Sequence, residues 1–279
     1  MAGDQFSQAM WTFFVVILIW QALHVADSRL RTADDYLDTC MELLKSHSKS
    51  KPSPEPGLEC PQYTKKSCCK AGVTEDFETK ENWQNITNYV HCPQKSSLSP
   101  MCHKMFFDEL CFFLCSPYIG PWIAPATHDE PVTDRFTDVP LCASECNSWW
   151  EACKGEYTCH ENWYTDFDRD ENGLNVCKAG AECRTYEAMY RTASNFCEII
   201  WDRSFKVVPD EEPCMKFTFD PAGPDPNEET ARKAAASSAI KHQGMSFLQW
   251  ICSFFSDNSV FPLGFQWRKP VFEPKDNED

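Results

Sequence analysis

Residues 111–122 read CFFLCSPYIGPW, and the interpretation of the whole chain depends on this stretch. Cys111 and Cys115 lie one helical turn apart and enclose two phenylalanines. A proline-punctuated loop that ends in tryptophan follows them. Such a segment can be a structural staple, a metal site, or one wall of a pocket for a flat ligand. The other cysteines help to distinguish these three possibilities.

The chain of 279 residues contains 17 cysteines, far more than an ordinary cytosolic enzyme carries. Thiols at this density are held either by zinc or by disulfide bonds. Zinc modules commonly present paired thiolates in a Cys-x-x-Cys turn, and this spacing occurs nowhere in the sequence. The cysteines therefore predict a disulfide framework in an oxidising compartment and no metal site.

Both ends of the chain differ in composition from its middle. Residues 11–23, WTFFVVILIWQAL, resemble the apolar core of a signal peptide, although Asp4 replaces the usual positive charge before it. We therefore predict a signal peptide over residues 1–26 and a ligand-binding domain over residues 27–222. Residues 223–279 are predicted to be a flexible tail with no clear membrane span, and membrane attachment stays uncertain.

Cysteines at helical spacing recur in the middle of the chain. The segments MCHKMFFDELCFFLC (101–115), VPLCASECNSWWEACK (139–154) and RTASNFCEIIW (191–201) each predict a helix. RLRTADDYLDTCMELLK (29–45) also has helical spacing, whereas SHSKSKPSPEPG (46–57) has the composition of a connector. Helices tethered by cysteines, with long loops between them, indicate a single globular domain with more helix than strand.

Several function classes are disfavoured. The net charge of −16 argues against nucleic acid as a partner, because such proteins present a clustered basic surface. None of the 7 histidines lies in a nucleophile or metal motif, and the neighbours Cys102 and His103 are a weak indication of a thiol hydrolase. We therefore predict that the protein is not an enzyme. Asn85, in Asn-Ile-Thr, predicts one N-glycosylation site, as in a secreted protein.

Five segments resemble the folate receptor and riboflavin-binding protein family, and together with the cysteines they extend over residues 40–232. They are CFFLCSPYIGPW, VPLCASECNSWWEACK, YTCHENW, CEIIWDRSFKV and FDPAGPDPNEETAR. The sixteen cysteines from Cys40 to Cys214 fall in the family's register, and Cys252 is left over. The resemblance implies an α+β fold, mainly helical with short strands. It also implies eight disulfides: Cys40–Cys68, Cys60–Cys111, Cys69–Cys115, Cys92–Cys183, Cys102–Cys153, Cys142–Cys214, Cys146–Cys197 and Cys159–Cys177.

The resemblance also implies a ligand site for a flat vitamin ring. Phe113 and Trp201 match the family's two stacking walls, and Glu109 stands where folate receptors carry an aspartate that grips the ring nitrogens. Ser204 matches a serine that bonds the same ring. Arg135 matches one of two arginines near the pocket.

This sequence departs from the folate receptor pattern at several pocket positions. Val132 replaces the second arginine, and Pro131 replaces the tryptophan beside it. Trp163, Tyr164 and Phe167 are also expected at the ligand site, and they belong to the run NWYTDFDRDENG, which is closer to riboflavin-binding protein. The site residues therefore point to two branches of the family.

Two functions follow from the resemblance. The first is a carrier or receptor for a small-molecule vitamin, folate or riboflavin, with no other cofactor. The second is a recognition protein that has lost the ligand and binds a protein partner at the cell surface, such as a gamete-recognition receptor. Either function places the chain outside the cell, secreted or on the extracellular face of the plasma membrane.

Overall fold

The structure is a computed structural model of the chain. It describes residues 32–42, 48–72, 89–95, 97–126, 134–171 and 175–240. The predicted signal peptide, the sequon at Asn85, the departures at Pro131 and Val132, and the tail from residue 241 with Cys252 lie outside the described residues.

The described part contains six α-helices. They are α1 (Ala33–Leu37), α2 (Pro100–Cys115), α3 (Ala143–Cys153), α4 (Tyr186–Tyr190), α5 (Ala193–Ile199) and α6 (residues 227–240). Four of them begin after a serine or threonine whose hydroxyl accepts a hydrogen bond from a backbone N–H of the first turn. Such caps satisfy one of the free N–H groups at a helix start, so the sequence specifies where these helices begin.

Ten short strands in the described residues pair two by two. They are β1 (Ser48–Ser53), β2 (Ser67–Cys69), β3 (Ile123–Pro125), β4 (Asp134–Phe136), β5 (Val139–Cys142), β6 (Tyr157–Thr158), β7 (Asp168–Arg169), β8 (Asn175–Val176), β9 (Arg184–Thr185) and β10 (Phe205–Val208). Strand β5 pairs with β10 in parallel, whereas β1 with β2, β3 with β4, β6 with β9, and β7 with β8 are antiparallel. This mixture of helices and short strands confirms the predicted α+β fold.

Three predicted elements differ from the structure. Residues 139–142, predicted as the start of a helix, form β5 because β10 offers them a parallel partner, with Val139 opposite Phe205. The predicted connector 46–57 contains β1, a polar strand that pairs on one side with β2. Of the helix predicted over residues 29–45, the structure describes residues 32–42, and within them only Ala33–Leu37 is α-helical. In each case tertiary pairing or a crosslink outweighs local propensity.

Eight disulfides join the sixteen cysteines from Cys40 to Cys214, and all eight pairs are those that the family resemblance implies. Of the three interpretations of residues 111–122, the structural staple is therefore correct for the two cysteines. Cys111 is bonded to Cys60 and Cys115 to Cys69, so both are structural staples.

The core surrounds α2. Phe106 and Phe112 of this helix are fully buried, as is Trp149 of α3. The ring of Phe106 packs edge-on against Trp149 at a centroid distance of 5.3 Å, and Phe112 lies 5.3 Å from Phe217. Aromatic pairs in this arrangement are favourable beyond the area they bury. Most aromatic residues in the described part therefore serve as core, and the site must use a minority of them.

The packed part of the chain extends past residue 222, the predicted end of the ligand-binding domain. Helix α6 buries Ala231 and Ala235 completely, and the side-chain amide of Asn227 bonds both backbone groups of Lys216, at 2.8 and 2.9 Å. Residues 227–240 thus belong to the folded part. Of the described helices, none is long and apolar enough to cross a membrane.

Gly120, in the loop after α2, supports a stability test. A Cβ atom there would lie 1.8 Å from the backbone oxygen of Tyr36 in α1, so a Gly120→Ala variant must displace backbone. We expect it to lose about 1–3 kcal/mol of unfolding free energy in urea titrations. Gly155→Ala is the matched control, because no atom lies within 4 Å of its added Cβ. Equal stability of the two variants would contradict the tight contact between α1 and this loop.

Candidate functional site

Helix α2 presents two of the predicted site residues on one face. Glu109 and Phe113 are four residues apart, so their side chains lie one above the other. The Glu109 side chain is buried, with 4% of its surface exposed, while Phe113 is half-buried and packs 5.6 Å from Phe136 of β4. A buried acid therefore lies beside a partly open aromatic ring.

The carboxyl group of Glu109 has an unusual environment. Burial raises its pKa from 4.5 to about 8, and among the described residues nothing donates a hydrogen bond or a positive charge to it. A buried carboxylate without a partner is costly, so the group is neutral at neutral pH. Such a group can accept hydrogen bonds from a ligand that brings its own N–H donors.

Tyr89 links this face of α2 to Trp201. Its ring lies 4.9 Å from Phe106 of α2 and 6.3 Å from Trp201, in edge-on contacts. Burial raises the pKa of the Tyr89 hydroxyl well above 10, and the charge of Glu109 adds to this effect. Tyr89 was not among the predicted site residues. The available signal in the sequence was an aromatic residue three positions before Cys92.

Trp201 lies in a tight turn directly after α5. The next two residues, Asp202 and Arg203, have left-handed backbone conformations, with φ of 50° and 60°. The backbone carbonyl of Trp201 accepts two hydrogen bonds from Ser204, one from its N–H at 3.1 Å and one from its hydroxyl at 2.8 Å. Ser204 therefore supports the turn with its proton, and its oxygen lone pairs remain able to accept.

Arg135 of β4 holds the same turn from the other side. The buried guanidinium donates to the carboxylate of Asp202 at 2.9 Å, to the carbonyl of Trp201 at 3.1 Å, and to the carbonyl of Asp202. The Cζ atom of Arg135 lies 4.2 Å from the ring centroid of Tyr164, which is a cation–π contact. The guanidinium of Arg135 therefore already has hydrogen-bond and cation–π partners within the protein.

Trp163 and Phe167 form a layer behind Trp201. Trp163 is 1% exposed, stacks on Phe106 at 5.3 Å, and meets Trp201 edge-on at 5.5 Å. Phe167 packs against His91 at 4.2 Å. The position of Trp163 is that of a core residue that supports Trp201.

The predicted site residues therefore fall into two groups. Trp201, Ser204, Arg135 and Tyr164 form one contiguous cluster backed by Trp163 and Phe167, and Glu109 with Phe113 forms the second. Tyr89 contacts Trp201 and lies within the electrostatic influence of Glu109.

The described cysteines leave no thiol for chemistry beside His103. Cys102 is bonded to Cys153, so the Cys102–His103 pair is not a nucleophile with its base. The sulfur atoms of Cys92, Cys177 and Cys183 lie within 4.8 Å of one another, but all three belong to disulfides and so lack the thiolate that binds metals.

The pKa of Glu109 predicts a pH-dependent stability. Between pH of about 4.5 and about 8 the unfolded chain has released a proton that the folded protein retains, so the contribution of Glu109 to stability falls as the pH rises. A Glu109→Gln variant lacks this proton. Its unfolding free energy relative to the wild type should therefore rise across this range in urea titrations.

Glu151→Gln is the control for this measurement, because Glu151 is an exposed glutamate of α3. We expect its stability difference from the wild type to stay nearly constant over the same pH range. A difference for Glu109→Gln that does not change with pH would mean that the buried carboxyl ionises normally.

Comparison with known proteins agrees with this architecture. The model of the folate receptor family matches residues 39–216. Folate receptor gamma of Homo sapiens is 33% identical over 233 residues, which cover 82% of this chain and 92% of that protein. Riboflavin-binding protein of Gallus gallus is 38% identical over 171 residues, which cover 61% and 68%. The chain belongs to the folate receptor family.

Proposed function

We propose that the protein is a non-enzymatic vitamin-binding receptor or carrier that holds the flat ring of folate or riboflavin between Phe113 and Trp201. The observation that carries this proposal is the Glu109 carboxyl group, which is buried beside Phe113 without a partner among the described residues. The relatives named for folate and for riboflavin support the same class of ligand.

Glu109 recognises the edge of the ring. Pterin and isoalloxazine rings both carry N–H groups, and a carboxylate accepts such hydrogen bonds more strongly than a neutral group does. Each charge-assisted bond contributes about 1.5–3 kcal/mol, enough to offset part of the cost of ionising a buried acid. The ligand thus supplies the partner that the folded protein lacks.

The other residues of the site position the ligand edge and the ring of Trp201. Ser204 has lone pairs available for the ligand edge, while Tyr164 and Arg135 hold the turn that carries Trp201. The disulfides fix α2 before the ligand arrives, so little ordering entropy is lost on binding. Because eight disulfides persist only in an oxidising compartment, the site operates outside the cell, secreted or at the extracellular face of the plasma membrane.

Titration of the oxidised full-length protein with folic acid and with riboflavin tests this function. We expect saturable quenching of tryptophan emission by at least one of them, and a loss of about 1–3 kcal/mol of binding free energy in Phe113→Ala and in Trp201→Ala. Phe107→Ala is the matched control, because Phe107 is also a half-buried phenylalanine of α2 but lies away from the face of Glu109.

The two vitamins distinguish the branches of the family. Quenching by one compound alone assigns the ligand. If neither compound quenches tryptophan emission, in protein shown to contain all eight disulfides, the vitamin site is refuted and recognition of a protein partner at the cell surface is favoured. Equal losses in Phe107→Ala and Phe113→Ala would refute the ring position.

Affinity should also depend on pH. If the ligand binds ionised Glu109, each pH unit below about 8 weakens binding by up to about tenfold, because a proton must first be released. Glu109→Gln should bind more weakly at pH 8 and show a flat profile in the same fluorescence titration. A wild-type profile that stays flat would remove Glu109 from the mechanism.

A further inference from the structure

We propose that Asp202 is a positioning residue, which fixes the ring of Trp201 by locking Arg135 onto the turn between α5 and β10. Nothing in the family pattern of the sequence singled out Asp202. The inference deepens the proposed vitamin site and rests on that function only for its affinity measurement, whereas its emission measurement needs no ligand.

Both carboxylate oxygens of Asp202 have specific partners. One accepts a hydrogen bond from Arg135 at 2.9 Å, and the other accepts one from the side-chain amide of Asn162 at 3.0 Å. Asp202 therefore connects β4 with the loop that carries Trp163 and Tyr164. Its carboxylate also orients the guanidinium whose other nitrogen donates to the carbonyls of Trp201 and Asp202.

Burial makes this ion pair more consequential than an ordinary surface pair. The Arg135 side chain is 10% exposed and that of Asp202 is 40% exposed, so water screens the pair only from one side. Removing the carboxylate would leave a buried cation without its counter-ion, and breaking such a pair from one side is strongly unfavourable. We expect the guanidinium to move and the Trp201 turn to loosen with it.

The lock also affects what the site recognises. With its charge matched by Asp202 and its face covered by Tyr164, Arg135 supplies support and not a free positive charge. Recognition at the ring edge then depends on the acid Glu109. The ligand is selected by its N–H donors and its flatness, without a requirement for an anionic group near Arg135.

Asp138, between β4 and β5, offers a matched control because it pairs with Arg203 of the same turn. Asp138 has a left-handed backbone with φ of 53°, close to the 50° of Asp202, and its carboxylate accepts from Arg203 at 3.1 Å. This second pair is exposed, with Arg203 at 76%. Asparagine tolerates left-handed backbone at both positions, so Asp202→Asn and Asp138→Asn each remove one charge from one ion pair at equal backbone cost.

The first measurement uses the ligand-free, oxidised full-length protein. The emission of Trp201 is isolated by subtracting the spectrum of each variant combined with Trp201→Phe. We expect Trp201 to become red-shifted and more accessible to acrylamide in Asp202→Asn and to stay unchanged in Asp138→Asn. An unchanged Trp201 signal in Asp202→Asn, or the same change in both variants, would overturn the proposal.

The second measurement is affinity for riboflavin and folic acid. Freeing one side chain that must be ordered again on binding weakens affinity by about three- to tenfold in Asp202→Asn, with no change in Asp138→Asn. In an Arg135→Lys background the Asp202→Asn change should have little further effect, since lysine cannot hold the same acceptors. If the affinity losses of Asp202→Asn and Arg135→Lys add in the double variant, the proposed coupling between the two residues is overturned. If the wild type binds neither vitamin, the proposed function fails while the Trp201 signal still decides this inference.

Discussion

The structure depends on the crosslinking of one helix. Three disulfides connect α2 to other segments of the chain: Cys102 is bonded to Cys153 of α3, Cys111 to Cys60, and Cys115 to Cys69. They fasten both ends of the helix to separate segments of the chain, so α2 can neither slide nor rotate. Glu109 and Phe113, on one face of this helix, are therefore held in place by covalent bonds.

This constraint explains how a buried acid without a partner can persist. Placing Glu109 in the core costs stability once it ionises, and the fold has little to gain from it by itself. Disulfides that contribute about 2–4 kcal/mol each provide the reserve of stability that such a residue requires. The stability that the disulfides supply thus offsets the cost of a buried acid at the proposed ligand site.

The second half of the site is held by hydrogen bonds. The turn from Trp201 to Ser204 contains two left-handed residues, and it is fastened by Ser204 from within and by Arg135 from β4. Trp163 closes it from behind through an edge-on contact with Trp201. One wall of the proposed ring site is therefore covalently anchored and the other is held electrostatically, so substitutions in the turn alter the second wall without disturbing the first.

The spacing of the cysteines and the helical period of α2 were sufficient to predict a disulfide-rich domain with more helix than strand, whereas the eight pairs and the α+β fold came from the family resemblance. Local patterns failed where long-range pairing decides the conformation. Residues 139–142 become a strand only because β10 lies beside them, and the polar β1 needs β2. Helix α6 falls within the predicted tail, and its buried apolar residues are alanines, whose burial depends on a surface that no local pattern shows.

For the site, helical spacing alone places an acid and an aromatic residue one turn apart on α2, and the helix predicted over residues 191–201 ends at a tryptophan. The surroundings of each side chain come from the fold. It buries Glu109, brings Tyr89 to Trp201, moves Trp163 into the core, and matches Arg135 with Asp202. The physical reason is that burial and ion pairing depend on neighbours distant in the chain, here 67 residues apart for Arg135 and Asp202, whereas helical spacing depends only on residues close in sequence.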